Sequence, residues 1–220
     1  MTIYFDLDDT IYRLYDPFNQ AYKDIFNYKI DTYLLWKQSR IYNNTIYQQY
    51  LDNKITKEQL AITRLQKAFK DFNIKITNEE ALLFQDKYEY YQNHLTLSKT
   101  MQNIFNYLKT NKINYGIITN GKTNNQMNKI KSLFKTIDFP IIISNEVKIH
   151  KPDSKIFSLI PKDKTMIYVG DSYEIDMIPA KKANWHTIWY NHQHLKKDLS
   201  IIDEEIDNEE DLFKLIKRYV

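Results

Sequence analysis

From Ser98 onward the chain repeats one pattern, in which short and almost wholly apolar runs alternate with stretches of helical spacing. The runs are INYGIIT, FPIIIS, TMIYVG and HTIWY, and the helical stretches are KTMQNIFNYLKTN, NNQMNKIKSLFK, PDSKIFSLI and EIDMIPAKKA. A strand apolar on both faces must be covered on both, and strands joined through helices run parallel. A further β-rich run, TIYFDL, opens the chain. The expectation is a Rossmann-like α/β core: a parallel sheet with helices on both faces. The last segment, IIDEEIDNEEDLFKLIKRYV, reads as a short strand or loop followed by a terminal helix.

Between the first strand and Ser98 the period changes. From Asp16 to about His94 the spacing is helical throughout, in DPFNQAYKDIFNYKIDTYLLWKQ, TKEQLAITRLQKAFKDF and TNEEALLFQDKYEYYQNHL. Asp16 with Pro17, Thr56, and Thr77 followed by Glu80 are expected helix starts, the last two with capping-box spacing or close to it. This divides the chain into a core of residues 1–15 and 96–220 and an all-helical cap, 16–95, inserted after the first strand.

Composition narrows the function classes. Of 220 residues, 43% are hydrophobic and 27% charged, an ordinary globular balance. The net charge of +3 does not point to nucleic acid. Cysteine is absent, which excludes disulfides and thiolate chemistry and fits a reducing compartment. With no signal-peptide pattern and no apolar stretch long enough to span a bilayer, a cytoplasmic protein that does not engage membranes is expected, as a monomer or homodimer. The three glycines, Gly116, Gly121 and Gly170, cannot build a glycine-rich nucleotide loop.

In parallel sheets ligands collect beyond the carboxyl ends of the strands. There the sequence gathers Asp6-Leu7-Asp8-Asp9-Thr10, Thr119-Asn120-Gly121, Lys151-Pro152 before a helix, and Gly170-Asp171-Ser172 with Asp176 shortly after. Each alone reads as a turn former or solvated charge. Together they point to a site. Residues i and i+2 of a strand share a face, so Asp6 and Asp8 face one cavity while Leu7 turns inward. Their repulsion, with Asp171 near, is relieved by a divalent cation, and few oxygen ligands suit Mg2+.

FDLDDT, ITNG, HKPDSKIF and VGDSYEID resemble, in order, the motifs of the haloacid dehalogenase superfamily, and specifically its phosphatase-like members. The helical insert sits where that family places its C1-type cap. Ser98-Lys99 replaces the family's usual Pro-Gly after the cap, and Pro179 and Asn184 replace small residues. The subgroup it is similar to contains pyrimidine nucleotidases and phosphoglycolate-type phosphatases. The resemblance implies an Mg2+-dependent hydrolase of a small phosphorylated metabolite such as a nucleoside monophosphate, sugar phosphate or phosphoglycolate. Asp6 and Asp171 would ligate the metal, Asp8 would add its backbone carbonyl, and Asp176 would stand as an outer partner. Asp6 would attack phosphorus and Asp8 would act as acid and base. Thr119, with the amides of Asn120 and Gly121, and Lys151 would hold phosphoryl oxygens.

Asp9, on the opposite face, reads as structural, with Thr10 bracing the loop. His192 and His194 read as surface residues and His150 as a loop residue. Trp36, Trp185 and Trp189 read as core, and the insert's Tyr and Phe residues as cap core. A receiver-type signalling domain shares Asp, Thr and Lys at sheet ends, but it carries its phosphorylated Asp on a later strand and has no cap. A true dehalogenase does not use an acid at the Asp8 position. A phosphomutase of the same fold and a non-catalytic phospho-ligand binder are the alternatives.

Overall fold

The structure, a computed structural model, describes residues 1–161 and 165–219. Residues 162–164 and 220, within the expected core, lie outside the described residues. Six strands form one parallel sheet: β1 (Thr2–Phe5), β2 (Asn114–Thr119), β3 (Ile141–Ile143), β4 (Met166–Gly170), β5 (His186–Tyr190) and β6 (Glu204–Ile206). Their spatial order is β3-β2-β1-β4-β5-β6. The doubly wound, Rossmann-like class read from the alternation is therefore the fold. The first two connections step outward from β1 to β2 and β3, and the chain then crosses to β4 on the other side of β1 and continues to β5 and β6, so the strand order reverses between β1 and β4. The terminal segment supplies a true edge strand, β6.

The helices are, in chain order, α1 (Tyr15–Ile25), α2 (Thr32–Leu51), α3 (Lys57–Lys70), α4 (Asn78–Gln92), α5 (Lys99–Thr110), α6 (Thr123–Leu133), α7 (Ser144–Val147), α8 (Ile178–Lys182) and α9 (Glu209–Tyr219). The chain separates into two compact units, one of Met1–Arg13 with Thr96–Val220 and the other of Leu14–Leu95. The second contains α1 to α4.

In the first unit both sheet faces are covered. Tyr4, Tyr168, Trp185 and Trp189 are buried in one apolar layer with Ile156 and Phe157. Phe5 packs on Phe105 of α5 across the other face, with ring centroids 5.3 Å apart. In the second unit Phe18, Phe26, Phe69 and Phe84 are buried, and Phe18 meets Phe84 edge-on at 4.9 Å. Trp36, Trp185 and Trp189 are buried, as the sequence suggested.

Three local expectations change. The first long helical pattern of the insert breaks into α1 and α2, because the Asp31 carboxylate accepts the amides of Tyr33 and Leu34 and starts a new helix. Asp16 is not a cap: α1 starts at Tyr15 with Leu14 at the N-cap and no side-chain cap bond. PDSKIFSLI forms a 3-10 turn over Ser154–Leu159, begun by the Asp153 carboxylate accepting the Lys155 amide. Thr56 and Thr77 do form full capping boxes, with Gln59 and Glu80. Among the described residues no helix is long and apolar enough to cross a membrane.

Candidate active site

The carboxyl ends of β1, β2 and β4 assemble the site within the first unit. Asp6 directly follows β1, and its amide donates to the Val169 carbonyl at 2.8 Å, so the chain leaves the sheet with this carboxylate held beside β4. Leu7 is fully buried behind it. A tight turn follows, with Asp9 at φ 58° and the Ile11 amide returning to the Leu7 carbonyl. The Thr10 hydroxyl reaches Asp171 Oδ1 at 3.5 Å.

Lys151 is the hub. Its Nζ donates to Asp6 Oδ1 at 2.7 Å, Asp176 Oδ1 at 2.6 Å and the Tyr168 hydroxyl at 2.7 Å. An ammonium has three donors. All three are engaged, with the Lys151 side chain only 2% exposed. The lysine enters through a cis Lys151–Pro152 peptide. Asn120 pins its backbone from both sides: Asn120 Nδ2 donates to the Lys151 carbonyl at 2.8 Å and Asn120 Oδ1 accepts the Lys151 amide at 3.0 Å.

Asp176 arrives by an unexpected route. The segment EIDMIPAKKA opens as a wide π turn over Tyr173–Met177 and becomes α8 only at Ile178. Both the Asp176 and Met177 amides bond to the Ser172 carbonyl, at 2.9 and 3.2 Å. The widened turn brings Asp176 under Gly170, where an added Cβ would lie 2.7 Å from Asp176 Cβ and Cγ. Asp176 Oδ2 accepts the Ser172 amide at 3.0 Å, so both of its oxygens have protein partners.

Asp8 has a separate set of partners. Lys129 Nζ donates to its two oxygens at 2.8 and 3.1 Å, Tyr12 donates to Oδ1 and Gln126 Nε2 to Oδ2 at 3.2 Å. Gln126 Nε2 also reaches Thr119 Oγ1 at 2.6 Å and the Asn120 carbonyl at 3.1 Å. Gly121 turns the chain between Thr119 and Gln126 at φ 145°, a conformation L side chains rarely adopt, and its amide donates to Ser144 Oγ at 3.1 Å.

The charges divide the site. Burial pushes the Asp6 carboxyl up to about 7; Lys151 opposes this and the neighbouring Asp176 and Asp8 add to it. Asp171 is raised well above the carboxylate range, first by burial and then by Asp176 and Asp6. Burial would also raise Asp8, but the Lys129 charge and the hydrogen bonds from Lys129, Tyr12 and Gln126 hold it below its ordinary value. Ligand oxygens of Asp6, Asp171 and Asp176 lie within 4.8 Å of one another.

Every residue singled out by sequence at the strand ends lies in this region, though Asn120, Gly121 and Asp176 are committed to internal contacts, and Lys151, expected to hold phosphoryl oxygens, spends its three donors on Asp6, Asp176 and Tyr168. Gln126, Lys129 and Tyr168 were not foreseen. Gln126 and Lys129 occupy the buried stripe of α6 with Ile130 and Leu133, so a polar pair inside an apolar period was the available signal. Tyr168 lies within an apolar strand and gave none. His192 is half-buried, not a surface residue, and groups with Asp9 and Asp171, because the chain after β5 runs beside the β1 turn. His150 and His194 are exposed.

The family description of haloacid dehalogenase-like hydrolases matches residues 3–190. The chain belongs to this family. A search of curated proteins finds no match. Among solved structures, the HAD-hydrolase YfnB of Bacillus subtilis, in a magnesium-bound form, superposes with a TM-score of 0.70 at 21% identity over 98% of this chain and 97% of its own. A HAD phosphatase from Thermococcus onnurineus gives 0.57 at 21% identity, over 98% and 97%. The L-2-haloacid dehalogenase of Xanthobacter autotrophicus gives 0.67 at 12% identity, over 100% and 99%. The haloacid dehalogenase-like chain thus shares its fold with enzymes that break different bonds.

Proposed function

We propose that this hydrolase cleaves phosphomonoesters of small metabolites through an aspartyl-phosphate on Asp6. The observation that carries the reading is Asp8, a second carboxylate fixed by Lys129, Tyr12 and Gln126 in the turn that follows Asp6. A halide leaves carbon as a weak base and needs no proton. An ester oxygen leaving phosphorus does. At the leaving-group step a carboxyl group at this place has work to do only in the second case.

The donor set fits Mg2+. Three carboxylates of one cluster face a single lysine, the ligand atoms are all oxygen, and burial, with too little positive charge to offset it, pushes the Asp6 and Asp171 carboxyls up. Asp6, Asp171 and the Asp8 backbone carbonyl would hold the ion, while Asp176 keeps Lys151 in place. When bound, Mg2+ offsets the charge of these carboxylates and of the phosphoryl oxygens.

The remaining steps belong to the chain. An Asp6 carboxylate oxygen attacks phosphorus and the bond to the leaving oxygen breaks. Asp8 supplies the proton to that oxygen and takes one from the water that cleaves the intermediate. Lys151 fixes Asp6, and the Thr119 hydroxyl donates to a phosphoryl oxygen. A nucleotide, a sugar phosphate or a phosphoglycolate-type acid in the cytoplasm fits this chemistry.

The test is hydrolysis of an aryl phosphate by the purified protein with Mg2+, with excess chelator, and beside 2-chloropropionate. Phosphate release that stops on chelation is expected. Chloride release without phosphate release overturns the reading.

A further inference from the structure

We infer that Gln126 is a positioning residue that turns the Thr119 hydroxyl proton toward a bound phosphoryl group. The inference rests on the proposed phosphoryl site and deepens it. Gln126 is a buried amide on a helix face otherwise packed into the core, with its residue only 2% exposed. Such a group is costly to bury unless its hydrogen bonds are made. Its Nε2 faces three acceptors: Thr119 Oγ1 at 2.6 Å, the Asn120 carbonyl at 3.1 Å and Asp8 Oδ2 at 3.2 Å. An amide nitrogen donates and does not accept. The shortest of these contacts therefore fixes the polarity at Thr119, whose oxygen is the acceptor.

A hydroxyl that accepts must send its own proton elsewhere. At Thr119 the one contact for that proton among the described residues is the Asn120 carbonyl at 3.5 Å, the outer limit of a hydrogen bond. Thr119 is itself 1% exposed at the end of β2. A buried donor so weakly engaged, at the strand end beside Asp8, is aimed at a ligand that accepts. Several other donors of the region are taken: the Gly121 backbone amide by Ser144, the Asn120 side-chain Nδ2 by the Lys151 carbonyl, and Lys151 by Asp6, Asp176 and Tyr168. An anion with outward oxygens, such as a phosphoryl group, is the chemistry this single directed proton suits. With an apolar residue at 126 the hydroxyl loses its fixed donor and is free to rotate.

The readout is the affinity for inorganic phosphate, measured by calorimetry in Mg2+ buffer on the full chain, for Thr119→Val, Gln126→Leu, their combination and the native protein. If Gln126 acts through Thr119, each single variant weakens phosphate binding on the order of 10-fold. The combination then binds about as weakly as Thr119→Val alone, and the loss appears in phosphate affinity without a matching fall in melting temperature, which a merely structural role does not give. Gln126→Glu replaces the donor by acceptors that capture the Thr119 proton, and it weakens binding at least as much as Gln126→Leu. Melting curves taken in parallel identify a variant that has failed to fold, and the remaining Gln126 variant then decides. Native-like affinity in a folded Gln126 variant, or losses that simply multiply in the combination, overturns the inference. So does a native protein that takes up no phosphate, even one that hydrolyses an ester. A protein that binds phosphate through Gln126 and Thr119 yet cleaves no phosphomonoester sinks the hydrolase reading and leaves this inference standing.

Discussion

Asp6 and Asp8 are two residues apart and occupy opposite electrostatic settings. Asp6 shares Lys151 with Asp176 and is pushed up to about 7 by burial, while Asp8 is held low against Lys129. An ionised Asp8 is ready to receive a proton, and giving one requires a proton loaded against the Lys129 pairing. Aryl phosphates with acidic leaving groups should therefore outrun alkyl phosphates, and a plot of log kcat against leaving-group pKa should be steep. Asp8→Asn removes both proton transfers, at a cost of about 10²–10⁴-fold, and should stall with good leaving groups as an aspartyl-phosphate. Intact mass after acid quench reads this directly; no trapped phosphate on Asp8→Asn, or trapped phosphate on Asp6→Asn, contradicts the assignment. The reactive carboxylates were legible in the sequence because several polar strand ends converge on one edge of a parallel sheet, although each alone reads as a turn former or solvated charge. Their partners were not. Lys129 lies far along the chain from Asp8, and Tyr168 is a strand residue whose hydroxyl matters only once Lys151 lies against it.

Among elements, the strands were the most legible, because a run apolar on both faces has one home, the middle of a parallel sheet. The helix after β4 was the least. Its apolar spacing is that of a regular helix, yet hydrogen bonding at Ser172 widens its first turn so that Asp176 meets Lys151. Gly170 leaves the space this needs. Gly170→Ala places a Cβ 2.7 Å from the Asp176 side chain. The expected result is a loss of about 1–3 kcal/mol of stability in denaturant unfolding, with weaker Mg2+ binding. In the insert, Thr77 closes a capping box at the start of α4. Thr77→Ala should cost about 1 kcal/mol by the same measurement and leave the aryl phosphate kcat unchanged. A kcat change as large as that of a site variant would mean that this helix start does more than hold the insert.

For the molecule as a whole, the buried carboxylates tie stability to pH. Asp6 has an ordinary value of 3.8 and is raised to about 7 in the folded chain. Between those two values the native state keeps a proton that the unfolded chain has released, so without divalent cation stability falls as pH rises through this window. Asp171 shifts in the same direction. Added Mg2+ should raise Tm more at about pH 8 than at about pH 5, since cation and proton compete for the same oxygens. Equal gains at both, read by thermal scanning, would contradict the metal assignment. The strand order has a further consequence, in the time domain. The central strand β1 is flanked by β2 and β4, with Thr2 beside Asn114 and Met166. During synthesis β1 leaves the ribosome first, yet both its neighbours are still to be made. The unit Leu14–Leu95 emerges next with its own buried aromatic cluster and can close on itself. A nascent chain therefore carries a finished helical bundle and an unpaired apolar strand at the same moment. That strand is the segment a chaperone has most reason to hold until β4 has appeared.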